Sequence, residues 1–91
     1  MKETLTGVDA STAFTCIDNT DIKISGDFVG LVWVESQTPG ETTWEQEPNS
    51  QFQSKTSFTL NVNDSTIAYR IACRLQSGAA IVYAGGVTEV V

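Results

Sequence analysis

Polar and apolar residues alternate in three stretches of this chain: residues 21–25 (DIKIS), 56–62 (TSFTLNV) and 67–75 (IAYRIACRL). A period of two is the mark of a strand with one face on a core. It places Ile22 and Ile24 inward and Lys23 outward. Phe58, Leu60 and Val62 point inward, opposite Thr59 and Asn61. Tyr69, Ile71, Cys73 and Leu75 point inward, opposite Arg70 and Arg74. Phe14 and Cys16 share a parity, which puts Cys16 inside as well. Slipping the strands at 21–25 or 67–75 by one residue buries a charge, so their registers are pinned.

Turn chemistry divides the rest. Asp18-Asn19-Thr20, Gly26-Asp27, Thr38-Pro39-Gly40, Asn63-Asp64-Ser65, Ser77-Gly78 and Gly85-Gly86 punctuate the chain about every ten residues. The predicted strands cover residues 3–8, 12–17, 21–25, 28–36, 42–47, 56–62, 67–75 and 79–84. Ser77-Gly78 is read as a turn between the last two, and residues 48–54 as a polar loop. The ending VTEVV forms an edge strand or a tail. No window repeats apolar residues at helical spacing, so no sizeable helix is expected. The fold class is all-β: an antiparallel sandwich of about seven to eight short strands, in one domain over residues 1–91. Residues 1–8 are either an edge strand or a flexible arm that orders on binding.

The stretch FVGLVWVES, residues 28–36, breaks the alternation. Val32 and Val34 claim the core, yet Val29, Leu31 and Trp33 on the other parity are apolar too. Four readings stay open. The strand is central, and a loop or a tight neighbour covers its second face. Trp33 is the core tryptophan of an immunoglobulin-like domain, whose third strand packs against a cysteine pair as the order Cys16, Trp33, Cys73 would allow. Alternatively, Val29, Leu31 and Trp33 form a contact patch for another protein, since aromatic anchors dominate interface energies. Or Trp33, Trp44 and Tyr83 make a stacking platform for a glycan.

Composition narrows the chemistry. Five Lys or Arg against eleven Asp or Glu give a net charge of -6, with the cations scattered. Clustered cations are what phosphate backbones need, so nucleic acid is not an expected partner. The start of the chain lacks an apolar signal segment, and no apolar run is long enough to span a bilayer. Neither a membrane nor export by a leader is expected; synthesis is expected in the cytoplasm.

Histidine is absent. That removes the commonest general base and metal ligand. Glu45 and Glu47 share a parity but read as surface glutamates. Asp18-Asn19-Thr20-Asp21 has oxygens without the ligand spacing of a calcium loop. No enzyme activity, metal or cofactor is expected. Cys16 and Cys73 are either two buried free thiols or a disulfide; a functional thiol is the third alternative.

The run IKISGDFVGLVWVESQTPGETTWEQ, together with STIAYRIACRLQSGAAIVYAGG, resembles small immunoglobulin-like structural proteins of tailed bacteriophages. The matching positions are Ser25-Gly26, Phe28, Gly30–Ser36, Gly40, Thr43-Trp44, Tyr69-Arg70-Ile71 and Ser77-Gly78, within residues 22–84. In that group the outward positions of the central strand are usually Thr; Leu31 and Trp33 replace them here. The resemblance implies a virion component: a capsid decoration or cement protein, a head fibre, or a neck or tail part. It is made in the host cytoplasm and leaves with the particle. Its implied partner is the major capsid protein or another virion protein, with homo-oligomers on the particle. The resemblance gives Trp44 a packing role after the turn.

Overall fold

A computed structural model describes residues 1–90. Its ten strands are β1 (Lys2–Leu5), β2 (Val8–Ala10), β3 (Phe14–Thr15), β4 (Thr20–Ser25), β5 (Phe28–Gln37), β6 (Glu45–Gln46), β7 (Thr56–Leu60), β8 (Ala68–Gly78), β9 (Ala80–Ala84) and β10 (Thr88–Glu89). All pairings are antiparallel. The first sheet runs β1-β9-β4-β7; the second runs β10-β3-β8-β5-β6, with β2 also on β8.

Four of these strands are halves of two longer ones. Ile22 pairs with Ala84 and Ser25 with Ile81 in the first sheet; Phe28 pairs with Gly78 and Val29 with Ser77 in the second. The register is unbroken across the boundary. Residues 22–37 and 68–84 therefore form one long ribbon that bends from one sheet into the other. Such bent strands make the corners of orthogonally packed sheets. Two further segments follow the same bend. On one side β1 lies along β9 and β2 along β8. On the other, β7 lies along β4, while Phe52 bridges to Val32 of β5.

The corner is built on two glycines. Gly26 (φ 92°) and Gly78 (φ 79°) sit in the left-handed region, where a side chain is strained. There is no room for one either. A Cβ on Gly26 would lie 2.6 Å from the Ala79 carbonyl oxygen, and one on Gly78 would lie 2.8 Å from Phe28 Cα. The Ala79 amide donates to the Asp27 carbonyl at 3.0 Å, tying the two bends together. Ser77-Gly78 is thus a bend and not the chain reversal expected from its composition. The same residue chemistry serves both, and here the neighbouring strand bends alongside. Just before it, Ser77 and Leu75 face the consecutive residues Val29 and Gly30, which leaves Gln76 as the extra residue of a bulge in β8.

The core lies between the sheets. Phe14, Ile22, Val32, Val34, Ile71 and Val82 are sealed in it, with Leu5, Cys16, Tyr69 and Cys73 beside them. Phe58, Val62, Phe28 and Phe52 pack against its margin. The inward parities of residues 22–24, 58–62 and 69–75 hold throughout. Residues 2–5 are the edge strand of the two alternatives, with Leu5 in the core. Strand 12–17 shrinks to Phe14–Thr15, and strand 42–47 to Glu45–Gln46. Of the ending, Thr88 and Glu89 pair with β3, while Val91 lies outside the described residues.

Two buried serines complete the second sheet where its edge segments break. The Ser11 amide donates to the Ile71 carbonyl at 2.8 Å, and its hydroxyl accepts from the Ile71 amide at 2.9 Å. On the opposite edge, Ser50 Oγ accepts from the Val34 amide at 3.2 Å and donates to the Glu47 carbonyl at 2.7 Å. Each hydroxyl stands where a backbone carbonyl would continue the ladder.

Candidate functional site

The outer face of the second sheet answers what the second apolar parity of residues 28–36 does. Val32 and Val34 are buried, so Leu31, Trp33 and Glu35 face outward. Their cross-strand neighbours on β8 are Arg74, Ala72 and Arg70 in that order. β2 extends the first two rows with Val8 opposite Arg74 and Ala10 opposite Ala72. The face therefore carries a row Val8–Arg74–Leu31, then a row Ala10–Ala72–Trp33, then Arg70–Glu35–Gln46.

The third row is a network. Arg70 Nε donates to Glu35 Oε1 at 2.7 Å, and Trp33 Nε1 donates to Glu35 Oε2 at 3.0 Å. The Arg70 guanidinium carbon lies 4.4 Å from the centroid of the Trp44 ring. Both carboxylate oxygens are thus occupied, and the cation is capped by an aromatic face. Trp44, expected to pack after the turn, does so on Arg70.

Trp33 is therefore not the core tryptophan of an immunoglobulin-like domain. It belongs to the outer face, half-buried, with its indole N–H engaged. Leu31 is half-buried beside it, and Ala72 is sealed although it points outward, between Ala10 and Trp33. What remains open is the end nearest the bend. Val8 is 80% exposed and Val29 56% exposed. Val29 and Leu31 line one shallow groove of about 460 Å³ with Phe28, Gly30, Gln53 and Gln76. The structure thus groups Val29, Leu31 and Trp33 along one strand and adds Val8, which sequence reasoning missed. Its three-residue strand carries too little alternation to show a face.

The glycan platform of Trp33, Trp44 and Tyr83 is broken up. Tyr83 lies on β9, in the other sheet, and projects from that sheet's outer face.

Cys16 and Cys73 are free thiols, both buried. They sit in the same sheet: Cys16 follows Thr15, which pairs with Ala68, and Cys73 lies further along β8. At 3.3 Å per residue the step from Ala68 to Cys73 is about 16 Å, far beyond disulfide reach. Burial pushes both thiols above their ordinary value, so neither offers a thiolate nucleophile at neutral pH. The turn expected at residues 18–20 is shifted: a bend at Ile17-Asp18 precedes β4, which already includes Thr20, and the Asn19 side-chain oxygen accepts from the Val62 amide at 2.8 Å. Among the described residues, no three His, Cys, Asp or Glu side chains gather as metal ligands do.

No family model matches the chain, and no curated protein or solved structure matches it.

Proposed function

We propose that this domain is a non-enzymatic adhesion protein of a bacteriophage virion, a capsid decoration module that docks through the outer face of its second sheet. The observation that carries the reading is the apolar run Val8, Leu31, Val29 and Trp33 on one face, with two members more than half exposed. Soluble domains rarely leave such a run bare. Arg74, exposed within the run, supplies a directional contact for a carboxylate on the partner. The lack of histidine and the protonated thiols support a role without catalysis.

The partner is the major capsid protein, or a second virion protein at the head–tail junction, and copies of the domain are brought together on the particle surface. A specific contact of about 800 Å² per partner is the usual scale, and repetition on a shell multiplies weak contacts. The domain is made in the host cytoplasm and carried out on the particle. An immunoglobulin-like kinship is part of the proposal: β4 pairs with β7 in one sheet and β5 with β8 in the other, as second with fifth and third with sixth strands do in those sandwiches, whereas β9 departs from that order by lying between β1 and β4.

Co-sedimentation with purified empty shells tests this. Wild-type protein should pellet with shells and saturate. Leu31→Asp and Val8→Asp, both surface changes, should stay in the supernatant while retaining the native spectrum. Wild-type protein that never pellets, or variants that pellet equally, would defeat the reading.

A further inference from the structure

The outer face of the first sheet carries a different arrangement. β9 runs between β1 and β4, and Tyr83 pairs with Lys2 on one side and Lys23 on the other. The chain holds five Lys or Arg in a net charge of -6, and two of the five flank one tyrosine. Both lysines are exposed, and Tyr83 is 43% exposed. Among the described residues the ion pair is Arg70–Glu35, so neither lysine is neutralised by a carboxylate. Nor is the Tyr83 ring capped by a cation, as Trp44 is by Arg70.

The adjoining row supplies a floor. Ile81 pairs with Ser25, and with Lys2, Lys23 and Tyr83 these residues line a depression of about 320 Å³. The ring's position is held from below. A Cβ on Gly85 would lie 3.0 Å from Tyr83 Oη, so the tyrosine lies back over a residue with no side chain. Asp21, two residues from Lys23 on β4, lines the hollow on the other side of Tyr83, and its Oδ1 accepts from Thr59 Oγ1 at 3.2 Å.

From this we infer that the Lys2–Tyr83–Lys23 row binds an anionic saccharide, one sugar ring stacking on Tyr83 with its carboxylate between the lysines. Two like charges on strands flanking a common neighbour stand about 10 Å apart and repel each other until an anion comes between them. An exposed ring beside a shallow hydroxyl-lined hollow suits the apolar face of a sugar. The site lies on the sheet opposite the proposed docking face and does not depend on it.

Isothermal titration with a 1,4-linked tetragalacturonate tests the assignment, with a neutral tetraglucoside as control. Wild-type protein should bind the uronate saturably and the neutral sugar at least tenfold more weakly. Tyr83→Leu, which keeps apolar area without the ring, should abolish the signal. Lys2→Gln and Lys23→Gln should each weaken binding at least fivefold, and Leu31→Asp should leave it unchanged. Absence of saturable uronate binding would overturn the inference. So would equal binding by Tyr83→Leu, or tighter binding of a single-stranded oligonucleotide through the same lysines.

Discussion

Arg70 and Glu35 face each other across β8 and β5 at 2.7 Å, and each is attended by a tryptophan. The pair is 31% and 15% exposed, so it is neither sealed nor fully hydrated. Exposed pairs contribute little, but hydrogen bonds to charged groups that lose part of their water contribute more. Glu35→Ala should lower stability by about 1–2 kcal/mol, since it leaves both Arg70 and the Trp33 indole without an acceptor. Glu35→Gln should cost less, because it keeps an acceptor. Urea midpoints of the two variants, with Arg70→Ala and the double variant completing a cycle, give the coupling directly.

Gly78→Ala should be among the most damaging single changes. The added Cβ meets Phe28 Cα at 2.8 Å, and the residue's φ of 79° is unfavourable for any side chain. The left-handed backbone alone costs about 1–2 kcal/mol, and the clash adds to it. Loss of more than about 2 kcal/mol is expected, which is a large share of a small domain's stability. Gly40→Ala, where a Cβ meets nothing within 4 Å, should cost only the about 1–2 kcal/mol that its φ of 86° carries.

Ser11→Ala and Ser50→Ala should each cost about 1–3 kcal/mol, the penalty for stranding a buried amide. The amides left without their acceptor are Ile71 and Val34, both on central strands. Hydrogen exchange at these two amides should accelerate in the matching variant and not in the other. Threonine at either position keeps the acceptor and should recover part of the loss.

Alkali should weaken the fold. Burial raises the Cys16, Cys73 and Tyr69 values above 9.0 for the thiols and 10.0 for the phenol, the values they take when unfolded. Glu47 adds a smaller push on Tyr69. Each group holds its proton more tightly in the folded state, so its contribution is complete below its unfolded value. That contribution drains away as pH rises past it toward the folded one. Urea midpoints should be level up to about pH 8 and fall from about pH 9 upward. The double variant Cys16→Ala, Cys73→Ala should fall less steeply between pH 9 and 10, whatever its midpoint at neutrality.

The faces of the strands were legible because charges fix them: Lys23, Arg70 and Arg74 cannot enter a core, and their neighbours must. The parity of Val32 and Val34 followed from the same rule. The bend at Gly78 was not legible, because a glycine after a serine signals only that the backbone leaves the strand region. Whether the chain then reverses or continues depends on Asp27 and Phe28, some fifty residues away. The roles of Ser11 and Ser50 were hidden for the same reason, as their partners lie on other strands. So was the Lys2–Tyr83–Lys23 row, which joins residues from both ends of the chain. Trp33 stood between, since its parity was readable but its engagement by Glu35 was needed to place it outside the core.

The pairing of β1 with β9 has a consequence for biosynthesis. Lys2–Leu5 leave the ribosome long before residues 80–83 and find their hydrogen-bonding partners only when those have been made. Leu5 is a core residue, so the interior stays open until then. A nascent chain halted before residue 80 therefore exposes unpaired strand edges, and completion of the domain waits for the release of nearly its whole length.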